Sequence, residues 1–249
     1  MDIPLPHDKL SFPDSIILSA ETSSMKPVVL VATGSFNPPT YMHMRMFELA
    51  RDFLCSEGYN VVAGYMSPVS DAYQKPGLIS GQHRLRLCEL ACESSNFVMV
   101  DPWEVNQISY QRTLTVLQRI QNKLMEEDTR KLFRNSLRIM LLCGSDFLQS
   151  FSIPGIWVRE QVREICRDFG MVCIRREGQD VEEIISSDDI LCQHRENIRV
   201  VDERVPNMIS SSRLRDCIAR RLSIKYLTFD SVIEYVETHN LYSLDTHKS

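Results

Sequence analysis

Short aliphatic runs alternate along this chain with longer stretches in which apolar residues recur every three or four positions. The runs at 28–31 (VVLV), 59–66 (YNVVAGYM), 97–100 (FVMV), 137–143, 171–175 and 197–202 read as buried strands. A parallel strand covered on both faces is apolar throughout, whereas a half-exposed one alternates. After the first run, Met42, Met46, Leu49, Ala50 and Phe53 recur at helical spacing. Leu85, Cys88 and Cys92 predict a helix over 81–95, and Leu114, Leu117, Ile120 and Leu124 one over 110–126 with Ser109 as its N-cap. Helices are also expected over 156–169, 210–222 and 230–240. Strand–helix alternation predicts an α/β fold, a doubly wound parallel sheet with helices on both faces and a C-terminal helical portion.

The breaks divide the chain into a flexible N-terminal arm at 1–26, a single domain at 27–243 and a tail at 244–249. The arm holds acidic residues and prolines but no arginine, which excludes a transit peptide. SPVSDAYQKPGL at 67–78 is a loop, and the charged, aperiodic stretch 125–136 is an exposed connection.

Composition narrows the classes. With 249 residues and 43% hydrophobic content the chain can bury a sizeable core. Lys and Arg number 28 against 33 Asp and Glu, a net charge of −5, so any anion site is local and no nucleic-acid partner is expected. The basic residues Arg213, Arg215, Arg220, Arg221 and Lys225 fall on more than one helix face, without the interleaved aromatics of an RNA surface. No apolar run reaches the ~18–20 residues that span a bilayer, so no membrane partner is expected. Eight cysteines without a CxxC pair read as reduced, buried thiols of an intracellular protein, in cytoplasm and/or nucleus. Cys192 and His194 lack a partner pair for zinc, and no protein metal ligand is assigned.

Two stretches carry chemistry. In VVLVATGSFNPPTYMH the strand stops at Gly34-Ser35 and a helix opens near Met42, so backbone N–H groups and a positive helix end converge. That is a ready phosphate site, and His43 stands within reach of it. In NMISSSRLR at 207–215, serines supply caps and free N–H groups while Arg213 and Arg215 add charge at an already positive helix end. Such charge fits if an anion fills the gap. Lys75 lies in the 67–78 loop after a strand, where open α/β sheets bind ligands. Neither GxxxxGK[ST] nor GxGxxG occurs, which removes P-loop enzymes and dinucleotide dehydrogenases.

Gly34, Phe36, Pro38, Thr40 and His43 meet the pattern GxFxPxTxxH, and Ile209, Ser210, Ser211 and Arg215 meet ISSxxxR. The chain thereby resembles the nucleotidyltransferase superfamily, and GSFNPPTYMH is similar to its eukaryotic nicotinamide/nicotinate mononucleotide adenylyltransferases. Met42 stands where the wider superfamily often has glycine, and Ser212 where threonine is common. The resemblance implies a Rossmann-like sheet and transfer of the adenylyl group of ATP to a pyridine mononucleotide. His43 and Arg215 would be catalytic, on the phosphates, with Gly34, Ser35, Phe36, Asn207 and Ser212 along the ATP. Lys75 would meet the mononucleotide phosphate, and Gly144 and Asp146 a ribose. Ile156 and Trp157 would pack on the pyridine ring, with Tyr110, Thr113 and Arg176 beside the substrate. Mg2+ held mainly by the phosphates is the implied cofactor, and a homo-oligomer the expected assembly. Another adenylyl- or cytidylyltransferase, and a non-catalytic nucleotide-binding or client-holding protein, remain as alternatives.

Overall fold

The computed structural model of the chain describes residues 3–11, 25–126 and 136–243. Strands β1 (Lys26–Gly34), β2 (Tyr59–Pro68), β3 (Val98–Val100), β4 (Arg138–Gly144), β5 (Met171–Arg175) and β6 (Ile198–Asp202) form one sheet in the order β3-β2-β1-β4-β5-β6. Every pairing in it is parallel. The expected doubly wound sheet is present. Because the chain builds outward first through β2 and β3 and then through β4 to β6, the order reverses between β1 and β4. At such a switch point the loops leave in opposite directions and open a crevice at the strands' carboxyl ends.

Successive residues of β1 feed two cores. Val28, Leu30 and Ala32 pack with Phe47, Leu49, Ala50 and Leu54 of α1 (Tyr41–Ser56). Val29 and Val31 pack with Leu114, Leu117 and Ile120 of α3 (Thr113–Leu124) on the other face. Each fully buried aliphatic side chain stabilises the fold by roughly 1.5–3 kcal/mol. The helix α2 (Gly81–Cys92) instead meets the last helix, α9 (Asp230–Thr238), through Leu87, Leu90, Val232 and Val236.

The remaining helices are short: α4 (Ser145–Ser150), α5 (Arg159–Glu164) continuing into a wide turn at Ile165–Phe169, α6 (Val181–Ser186), α7 (Asp189–Gln193) and α8 (Ser211–Ala219). Several expectations need correcting. The third helix starts at Thr113 with Arg112, not Ser109, at its N-cap, and α5 starts at Arg159 rather than 156. Met42 and Met46 are only partly buried, since their side of α1 faces the crevice rather than the sheet. Cys55 and Cys192 are exposed.

The described part of the N-terminal arm is not loose. Leu5 and Leu10 are buried in the α3-side core, the Tyr65 hydroxyl donates to the Pro6 carbonyl at 2.7 Å, and Lys9 Nζ reaches the Cys92 carbonyl at 2.6 Å. Two leucines among prolines give no periodicity to read, yet they find apolar surface. The connection expected at 125–136 falls largely, and the tail at 244–249 wholly, outside the described residues.

Candidate active site

The crevice at the switch point holds a cavity of about 450 Å³, walled by the loops that follow five of the strands. Ser35, Phe36 and His43 come from the β1 turn and α1, Lys75 and Tyr73 from the loop after β2, and Gly144 and Asp146 from the end of β4. Arg176 follows β5, and Ser212 and Arg215 belong to α8. Four basic side chains and a run of hydroxyls thus surround one space, the residue types that suit an anion.

The turn after β1 is tightly wound. Phe36 has φ +44 and its ring lies over Gly34, where a Cβ would stand 3.3 Å from the ring edge. Any other residue at Gly34 would push that ring away. The same ring meets the His43 imidazole edge-on, with centroids 5.3 Å apart. His43 sits in the first turn of α1, where its Nδ1 accepts from the Thr40 backbone N–H at 3.0 Å, with Thr40 Oγ1 at 2.8 Å. Loss of solvation, with the Arg176 charge adding to it, pushes the His43 imidazole down to about 4. His43 therefore presents a neutral ring whose Nε2–H is left for the cavity.

Asn37 ties the walls together. Its amide donates to the Gly77 carbonyl at 2.8 Å, its side-chain oxygen accepts from the Tyr242 hydroxyl at 2.8 Å, and its own carbonyl accepts from Arg215 Nη1 at 2.8 Å. Burial pushes the Tyr242 phenol well above its ordinary range, which keeps it a donor. Ser211 Oγ adds a bond to the Pro38 carbonyl at 2.7 Å. Thus the second stretch docks directly on the first, although Ser211 lies 173 positions beyond Pro38 in the chain.

Asp146 is already engaged. Its carboxylate pairs with Arg176 and accepts from Gln179 Nε2 at 2.7 Å. Any hydroxyl pair arriving there shares those donors. Asn207 lies next door, on a neighbouring cavity of about 740 Å³ that shares Met42, Arg176, Ile209 and Ser210 with the first. The two make one extended trough.

Five expected residues line neither cavity: Gly34 lies beneath the Phe36 ring, and four others stand away from the wall. Tyr110 stacks on Tyr73 with centroids 5.6 Å apart, so it stands one ring behind. Trp157 packs edge-on against Phe147, a residue of the wall, at 5.2 Å and donates from Nε1 to Ser150 Oγ at 3.0 Å. Ile156 is exposed and Thr113 is buried at the start of α3. Beside them the buried Glu104 accepts from Ser67 Oγ at 2.6 Å. Burial pushes its carboxyl up to about 8, in spite of that bond. Arg84, which no sequence pattern marks, is fully buried behind the Ser35 turn. Among the described residues no cluster of three or more His, Cys, Asp or Glu is disposed to hold a metal ion.

A parallel sheet with two interlocked helix starts at its switch point fits a transferase of the cytidylyltransferase-like class, and the family model described as Cytidylyltransferase-like matches residues 31–217. A nicotinamide/nicotinic acid mononucleotide adenylyltransferase of Arabidopsis thaliana is 59% identical over 243 residues, covering 98% of this chain and 99% of that protein. The Bos taurus nicotinamide/nicotinic acid mononucleotide adenylyltransferase 1 is 41% identical over 261 residues, covering 92% of this chain and 93% of that one. The chain belongs to the nicotinamide/nicotinic acid mononucleotide adenylyltransferases. The fold agrees with that of a Plasmodium falciparum nicotinic acid mononucleotide adenylyltransferase complexed with NaAD, at a TM-score of 0.61, 17% identity, and 87% and 97% coverage.

Proposed function

We propose that this chain joins ATP to nicotinamide mononucleotide, and to nicotinate mononucleotide, by adenylyl transfer, with His43 and Arg215 acting on the phosphates. The observation that carries this reading is the convergence of His43, Lys75, Arg176 and Arg215 on one cavity at the sheet's switch point.

The mononucleotide phosphate attacks the α-phosphorus of ATP in line, a new P–O bond forms, and the bond to the leaving pyrophosphate breaks. A phosphomonoester's second pKa is about 6, so the nucleophile is ionised at neutral pH and needs no general base. The barrier is the approach of two anions, and positioning with charge neutralisation lowers it. Lys75, on the loop after β2, meets the acceptor phosphate. His43, Ser212 and Arg215, with backbone N–H groups of the Ser35 turn, meet the triphosphate, and Asn207 lies along the nucleoside in the neighbouring trough. A neutral His43 donates one hydrogen bond without holding the product's charge too tightly.

Mg2+ fits this site only through the ligand, because the wall offers cations and hydroxyls and its Asp146 is paired with Arg176. When bound, the ion spreads the triphosphate's charge. The eight unpaired cysteines support an intracellular protein, in cytoplasm and/or nucleus, and the acidic net charge one that does not coat nucleic acid. No helix of the described residues is long and apolar enough to cross a membrane.

The test is direct. Purified chain mixed with ATP, Mg2+ and either mononucleotide is expected to form dinucleotide and pyrophosphate in equal amounts. No product with either acceptor, in a folded sample that binds ATP, would remove the reading.

A further inference from the structure

Arg84 is fully buried on α2, and its guanidinium reaches three separate acceptors. Nε donates to the Ile79 carbonyl at 3.0 Å, Nη1 to the Ser35 carbonyl at 3.3 Å and Nη2 to Asp71 Oδ1 at 2.9 Å. Burying a charge is expensive, and an apolar side chain of similar size often stabilises a fold as well or better. The arrangement around it is also specific. Gly81 opens α2 where a Cβ would stand 3.2 Å from Asp71 Oδ1 and 2.7 Å from Val105, so a bare backbone makes room for the carboxylate. Asp71 and Ile79 lie at the two ends of the loop that carries Lys75, while Ser35 belongs to the phosphate-binding turn.

We propose that Arg84 is a positioning residue that fastens the acceptor loop to the donor-phosphate turn, a role that rests on the adenylyl-transfer reading above. The planar fork fixes both ends of the loop to one rigid helix, so Lys75 is held at a set distance from His43 and Ser35. It also orients the turn. The Ser35–Phe36 peptide is trans, since Asn37–Pro38 is the one cis bond among the described residues. In a trans peptide the carbonyl and the N–H point opposite ways. With the Ser35 carbonyl held on the buried side by Arg84, the Phe36 N–H turns to the side that Ser35 and Phe36 line. The buried cation thus aims a neutral donor at the anion without touching it.

Two full-length variants test this: Arg84→Lys and Asp71→Asn. The Asp71 side chain is 61% exposed and an asparagine there still offers an oxygen to Arg84 Nη2, so Asp71→Asn is the milder change. Arg84→Lys keeps the charge but loses the fork, and kcat/KM for the mononucleotide is expected to fall about ten- to a hundredfold, as misplacement of about 1 Å can do. KM for the mononucleotide is expected to rise more than KM for ATP, in Asp71→Asn as well, with a melting temperature closer to wild type in the latter than in Arg84→Lys. Calorimetric titration with nicotinamide mononucleotide reads the same loosening without turnover. If wild-type chain forms product while Asp71→Asn and Arg84→Lys keep wild-type constants and affinity, the positioning role is overturned and the reaction stands. Activity lost only in proportion to the unfolded fraction overturns it too. If wild-type chain forms no product, the reaction reading falls, and the titration still decides whether Arg84 sets the site.

Discussion

The backbone N–H of Thr40 donates to Nδ1 of His43 across 3.0 Å, and that bond decides how the histidine is used. An Nδ1 that accepts cannot carry the proton, so the neutral ring is the Nε2–H tautomer. The expected outcome is a 15N-edited histidine spectrum showing that tautomer at pH 7, with the ring uncharged until the pH nears about 4. The sign follows from linkage. The unfolded ring binds its proton near pH 6.5 and the folded ring lower, so the unfolded chain holds more protons in between. Stability should decline as the pH falls through that window. A ring that titrates near 6.5 in the folded chain would remove the neutral-donor role.

Truncating the two proposed catalytic side chains gives the second prediction. His43→Ala and Arg215→Ala are each expected to lower kcat by about 10²–10³, the usual effect of removing one donor from a developing oxyanion. Arg215 carries a further load, because its Nη1 holds the Asn37 carbonyl at 2.8 Å. Arg215→Ala should therefore also raise KM for the mononucleotide, since Asn37 holds Gly77 in the acceptor loop. Initial rates against each substrate, with circular dichroism to verify the fold, separate these effects. A variant with most of its turnover would cancel the assigned role.

How far the sequence reaches depends on what kind of signal each element leaves. The six strands were legible because parallel strands covered on both faces are apolar without interruption, as the wholly buried Val28–Val31 segment of β1 shows. The anion turn was legible because Gly34, Asn37 and the prolines break two periodicities at once. The short helices at Ser145–Ser150, Val181–Ser186 and Asp189–Gln193 were not, because five or six residues hold too little of a 3.6-residue period. The boundary at Thr113 was missed because Ser109 looks like a better cap than Arg112. Within the site, chain order identified the cavity's cationic wall but not its supports. Arg84 reads as an ordinary polar helix position, and only tertiary packing buries it. Resemblance puts Trp157 at the pyridine ring, and in the fold it packs edge-on against Phe147, which lines the cavity.

Glu104 supplies the third prediction. Its carboxyl is pushed up to about 8 by burial, so the folded chain holds a proton there that an unfolded glutamate releases near pH 4.3. Between those values the folded state binds more protons, and stability from this group is lost as the pH rises toward 8. Glu104→Gln keeps an oxygen to accept the Ser67 hydroxyl and removes the titration. The variant's melting temperature is expected to gain on wild type from pH 5 to about pH 8 and to level off above it. A constant difference across that range would show that Glu104 is ionised in the folded chain.

Asp188 supplies the last, on stability. It is 4% exposed and joins Arg159 by two bonds, Nη1 to Oδ2 at 2.7 Å and Nη2 to Oδ1 at 2.9 Å. Oδ1 also caps α7 through the Ile190 and Leu191 N–H groups at 3.0 and 3.1 Å, and Oδ2 accepts from Ser152 Oγ at 3.3 Å. Ser152 and Arg159 flank the segment that bears Trp157, so one carboxylate anchors both ends of it. The Arg159 bond, more than its other contacts, holds the Asp188 carboxyl below the usual carboxylate range. Arg159 is 46% exposed, so solvent screens the pair and the capping bonds carry much of the effect. Asp188→Ala removes cap and pair and is expected to cost about 2–4 kcal/mol. Asp188→Asn keeps an acceptor for the cap and should cost about 1–2 kcal/mol, the charge-assisted share alone. Because the folded carboxyl is depressed, its stabilisation is present above the unfolded value near 3.9 and is lost as the pH falls below it. Denaturant melts of wild type and Asp188→Asn should therefore differ at pH 7 and converge toward pH 3. Equal stability at pH 7 would mean that Arg159 contributes nothing through its charge, and that the cap alone secures the turn beneath Trp157.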